Sequence, residues 1–171
     1  KEITEDTTIN EGTFESTSQN ENTISVNGGV TVTLSNISVT KTGDSDGGDN
    51  TSFYGTNSAI IAKSGANLKL KNISVKTNAA GANGVFSYGE SATTNNSSSD
   101  GTTITISDSS ITTLKDNSGG IMTTGGGNMN AYNLTINTSG TSSAAIRTDR
   151  GGGNCYSRRW YPYYIFIYNI V

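Results

Sequence analysis

Most of the chain alternates apolar and polar residues at period two in runs of only three to five positions, with Gly, Asn and Asp between them. Such alternation predicts half-buried strands, because successive side chains of a strand point to opposite faces. The runs recur. "VTLSNISV" from Val32, "LKLKNISV" from Leu68, "ITISDSSITT" from Ile104 and "MNAYNLTI" from Met129 align with offsets of 36, 36 and 25 residues. A second series, "SAIIAKSG" from Ser58, "NGVFSYGE" from Asn83, "GGIMTTGG" from Gly119 and "AAIRTDRGG" from Ala144, brings Ile60, Val85, Ile121 and Ile146 into one column at offsets of 25, 36 and 25. Polar, Gly- and Ser-rich insertions at 41–56 and 91–101 account for the longer offsets.

Strands this short, repeating at a near-constant period, point to coils in which each strand pairs with its copy one turn on. The expected fold is all-β: a right-handed parallel β-helix of about five coils over residues 1–154, with roughly 25 residues per coil. Aliphatics stack inward, while glycines and asparagines take the left-handed backbone of the corners. A β-sandwich is the rival, but its strands have no reason to share an aliphatic column at this spacing.

Composition narrows the function. Thr, Ser, Asn and Gly supply 90 of the 171 residues, only 32% of the chain is hydrophobic, and the net charge is −3. A thick globular core is excluded, and so is the basic stripe that nucleic acid requires. The sequence has no apolar run long enough for a membrane helix. It contains no histidine and one cysteine, Cys155, which excludes a Ser-His-Asp triad, His-ligated zinc and an internal disulfide.

"ANGVFSYG", "NSGGIMTTGGG" and "SSAAIRTDRGGG" resemble a family of bacterial exported β-helix proteins, adhesin-like or carbohydrate-binding, whose fold is similar to that of pectate lyases. The likeness covers residues 29 to 154. It implies a secreted or cell-surface location and association with a polysaccharide or cell-surface glycan, without implying an activity.

Residues 155–171 change character abruptly. They hold the only Cys, Trp and Pro and 7 of the 13 aromatics, but no Thr. Cys-Tyr-Ser-Arg-Arg-Trp-Tyr can be encoded so that reading one base later gives "VTVDGGT", which matches "TTINEGTF" at 7–14. The segment therefore reads as an out-of-frame tail that replaces the next coil, with a native aromatic cap as the alternative. On either reading the open ends of the stack invite self-association.

Candidate ligand-binding residues follow from the Ile60 column. Its neighbours Ile61, Phe86, Met122 and Arg147, and the next column of Lys63, Tyr88 and Asp149 with Thr124, should face outward. The small residues Ala59, Gly84, Gly120 and Ala145 beside them suggest a trough for a sugar polymer, its rings on aromatics and its carboxylates on Lys or Arg. Alternatively, the 91–101 insertion or another loop covers this column. Arg147, Asp149 and Arg150 would be the catalytic set of a polysaccharide lyase, although an Arg–Asp–Arg cluster also braces corners; Asp116 is the nearest acid by coil position. Asp44, Asp46 and Asp49 in "GDSDGGDN" offer oxygen ligands for calcium, without the distal Glu of an EF-hand. With no catalytic constellation evident, the expected function is a non-catalytic extracellular polysaccharide-binding or adhesion module. A lyase acting on acidic glycans and a purely structural stalk are the alternatives.

Overall fold

The structure is a computed structural model that describes residues 1–90 and 99–158. Strands β1 (Glu2–Ile3), β2 (Thr7–Ile9) and β3 (Gly12–Ser16) form a first set, and β4 (Ile24–Asn27), β5 (Thr31–Ser35) and β6 (Ile37–Lys41) repeat it. A short helix, α1 (Gly48–Ser52), precedes the third set of β7 (Ile60–Lys63), β8 (Asn67–Lys71) and β9 (Ser74–Thr77). In the later sets, strands two and three merge into one bent strand. β10 (Val85–Tyr88) is followed by β11 (Thr103–Thr113), and β12 (Ile121–Thr124) by β13 (Gly127–Thr138). The described chain ends in β14 (Ile146–Thr148) and β15 (Gly153–Arg158).

Every ladder among the described residues is parallel. One sheet runs β1-β4-β7-β10-β12-β14, and the other runs β2-β5-β8-β11-β9-β6-β3 with β13 and β15 added beyond β11. This is a nearly closed, all-β arrangement that fits a β-helix. The expected column is present: Ile60 pairs with Val85, Val85 with Ile121 and Ile121 with Ile146, and Ile24 extends it on the other side. Ile24, Ile60, Val85 and Ile121 are fully buried, whereas Ile146 is 42% exposed on the last strand of its sheet. Val32, Leu68, Ile104 and Met129 form the second buried column. Each such side chain contributes on the order of 1.5–3 kcal/mol by leaving water. The core is narrow, which is why a chain so poor in apolar residues can fill it.

The small column lies inside this core and not along an outer trough. A Cβ on Gly84 would stand 2.5 Å from Ile111 Cγ2 and 2.6 Å from the Gly120 carbonyl oxygen, so the backbone closes directly on the core there. Ala59 is likewise fully buried in the main cluster. Among the inward groups of β6 is Lys41, whose ammonium donates to the Ser18 and Gly43 carbonyls at 2.6 and 2.7 Å. Burial pushes its pKa down, while the Glu21 and Asp44 charges act in the opposite direction.

Cys155, the first residue of the segment 155–171, lies within β15, which pairs with β13 and sets Cys155 beside Met129. The remainder of the tail, including Trp160, and most of the 91–101 insertion lie outside the described residues.

Candidate functional site

The face bearing Ile61, Phe86 and Met122 is covered by the 41–56 segment. These three residues pair in register on β7, β10 and β12 and form a second apolar cluster, at most 2% exposed. A strap running through α1 to Gly55 lies over them. Gly55 has φ +67°, and a Cβ there would meet Ile61 Cδ1 and Phe86 Cγ at 2.8 Å. Tyr54 meets Tyr88 edge to face at 5.7 Å. The Thr124 hydroxyl donates to the Phe53 carbonyl at 2.6 Å. Of the two readings of this face, an open trough or a loop that covers the column, the geometry matches the cover: Phe53, Tyr54 and the Gly55 backbone, in an insertion that reads as polar, close over the apolar column. Lys63 and Tyr88 share a ladder and are half-buried. Burial, followed by the charges of Glu90, Tyr54 and Asp100, raises the Tyr88 pKa.

The Arg–Asp–Arg corner fastens the strap. Arg147 is ion-paired with Asp149. Arg150 pairs with Asp49 at 3.0 Å and lies 3.9 Å over the Phe53 ring. Arg147 and Arg150 are thus engaged with carboxylates and Asp149 with Arg147, so the set proposed for lyase chemistry works here as a brace. The three carboxylates read as candidate calcium ligands each have protein partners. Asp44 accepts from the Ala80 amide, Asp46 accepts from Gln19 and Asn20, and Asp49 is held by Arg150. Among the described residues no three acidic or thiol groups gather into a metal site. Asp116 accepts from the Thr141 amide and caps a turn.

A site absent from these expectations lies at another corner, where each chain segment turns from the second strand of a set to the third. Asn36, Asn72, Asp108 and Asn133 occupy this bend with φ between 50° and 54°. Short side chains with a polar tip tolerate this left-handed conformation best. The next residue turns inward (Ile37, Ile73, Ser109, Leu134), and the one after it turns outward. The outward positions line up as Thr13, Ser38, Ser74, Ser110 and Thr135. Corner and hydroxyl column together line a groove of about 930 Å³ that crosses the strands from Glu11 to Thr135. All five hydroxyl residues are exposed, and among the described residues none of the five hydroxyls has a protein partner.

No family profile, curated protein or solved structure matches the chain. The groove offers a hydrogen-bonding column with one rung about every 4.8 Å, flanked by amides, with no charge-transfer or nucleophilic constellation. The signal was present in the Asn-x-Ser/Thr triplets of "SNISV", "KNISV" and "YNLTI" and in the Asp-Ser-Ser of "SDSSI", but such triplets are easily discounted as chance in a chain so rich in these residues. They arise because a left-handed corner, an inward residue (aliphatic at three of the four bends, Ser109 at the other) and an outward hydroxyl follow one another.

Proposed function

We propose that the chain is a non-catalytic extracellular polysaccharide-binding or adhesion module on a right-handed parallel β-helix of about five coils, and that the glycan lies in the corner groove. The observation that carries this reading is the column of five free hydroxyls beside the corner amides. An extended polymer laid across the strands presents a sugar hydroxyl to each rung, and sugar–protein hydrogen bonds replace those to water. Exchange with water makes each bond worth only about 1 kcal/mol, so useful affinity depends on several rungs acting together.

Affinity electrophoresis through gels containing soluble polysaccharides tests the proposal. Retardation by at least one glycan is expected, and it should be lost in the double variant Ser74→Arg, Ser110→Arg, which fills the groove. Thr33→Arg, on a different strand face, should leave it unchanged. An intact protein retarded by no neutral, amine-bearing or acidic polymer would overturn the proposal, and so would retardation that survives the double variant.

A further inference from the structure

Resting on that reading, we propose that Asp108 sets the charge class of the ligand: the groove takes glycans bearing free amino groups in preference to neutral ones, and rejects uronates. The corner column is a broken amide ladder. Asn72 Nδ2 donates to Asn36 Oδ1 at 2.7 Å, and Asn36 Nδ2 donates to the Asn10 carbonyl at 3.2 Å. Asn133 Nδ2 donates to Asp108 Oδ1 at 2.9 Å, but Asp108, a carboxylate, has no proton to pass to Asn72. The Asn72 amide, by donating toward Asn36, turns its oxygen toward the Asp108 rung. Two acceptors thus stand on neighbouring rungs, and among the described residues no side-chain hydrogen bond spans the gap between Asp108 and Asn72. A ligand ammonium, or a pair of hydroxyls, supplies it.

Turn chemistry admits Asp or Asn at this bend and does not require the carboxylate. Asn takes the same left-handed bend at three other rungs and would complete the ladder, so the departure from the local pattern marks a functional position. The same rung departs a second time. Where its neighbours bury Ile37 and Ile73, it buries Ser109, whose hydroxyl donates to the Ser107 carbonyl and accepts from the Ile73 amide. The charge of the groove has one sign. Glu11 and Asp108 line it, whereas Lys71 and Lys76, in the flanking columns, do not. A uronate carboxylate brought beside Asp108 would lose hydration without gaining a counter-charge.

Binding is measured with fluorescently labelled oligosaccharides of equal length: glucosamine (free amine), glucose (neutral) and galacturonate (acidic). Mildly acidic pH keeps the amines charged and the carboxylates ionised. The wild type should bind the amine series tightest and the acidic series undetectably. Asp108→Asn should reduce the amine-over-neutral preference by about tenfold, the size of one charge-assisted bond, keep neutral binding, and melt no lower than wild type because the ladder is completed. Glu5→Gln removes the same unit of charge elsewhere and should change nothing, which excludes a bulk-charge effect. Equal preference in wild type and Asp108→Asn, or uronate binding to the wild type, overturns the role of Asp108 while leaving glycan binding standing. Failure of all three series to bind overturns both.

Discussion

Phe86→Ala should release the strap before it unfolds the protein. Phe86 is fully buried between β10 and the 41–56 segment, and truncating such a side chain costs about 3–5 kcal/mol. The other contacts fastening the strap are individually small. The Arg150–Asp49 pair is 43% and 61% exposed, a setting in which ion pairs contribute about 0–1 kcal/mol. The Arg150–Phe53 stacking adds about 0.5–1 kcal/mol, the Tyr54–Tyr88 contact about 0.5–1.5 and the Thr124–Phe53 hydrogen bond about 1. Their sum is comparable to what Phe86 contributes alone, so its loss should remove roughly half of the strap's fastening and raise its opening selectively while the parallel ladders persist. Hydrogen exchange reads this directly. The Phe53 and Thr56 amides, which donate to Asp49 and Asn50 inside the strap, should exchange about a hundredfold faster, corresponding to about 3 kcal/mol at 1.4 kcal/mol per tenfold. The amides of β8 and β11 should slow or quicken only with global stability. Unchanged exchange at Phe53 and Thr56, or an equal loss of protection throughout the chain, would refute the strap as a separately docked element.

Much of the fold was legible because burial repeats: one inward aliphatic per set fixes the register, and Ile60, Val85 and Ile121 stack as their spacing requires. The strap was visible as an insertion, yet its docking was not, since Phe53 and Tyr54 are two apolar residues in a polar stretch and only the three-dimensional path brings them over Phe86. Asp49 and Arg150 are 101 positions apart, a pairing that no local pattern encodes. The corner groove was hidden for the opposite reason. Its residues are the commonest types in the chain, and their meaning comes from the left-handed backbone that aligns them.

Two further outcomes follow. Gly84→Ala should destabilise the protein by about 1–3 kcal/mol in a denaturant titration, because its methyl would overlap Ile111 and the Gly120 carbonyl; Ala145→Gly, in the same column, should cost less than 1 kcal/mol, and a neutral Gly84→Ala would contradict the close approach. Cys155 has its pKa raised by burial from 9.0 to about 11. A proton held more tightly in the folded state stabilises it fully below pH 9 and is lost as the pH rises through 11, so Cys155→Ala should lose alkaline sensitivity in that window. At pH 8 the folded thiol should also react with a disulfide reagent roughly a hundredfold more slowly than in denaturant, and equal rates would argue against its burial.

The parallel register on which both faces depend can be measured with paired cysteines in a Cys155→Ser background. Ser38 and Ser74 are side by side on β6 and β9, whereas Lys76 lies two residues further along. With a one-carbon bis-thiosulfonate linker, the Ser38→Cys, Ser74→Cys protein should cross-link nearly completely, and the Ser38→Cys, Lys76→Cys protein only marginally. Equal yields, or the offset pair linking better, would contradict the stacking of the hydroxyl column.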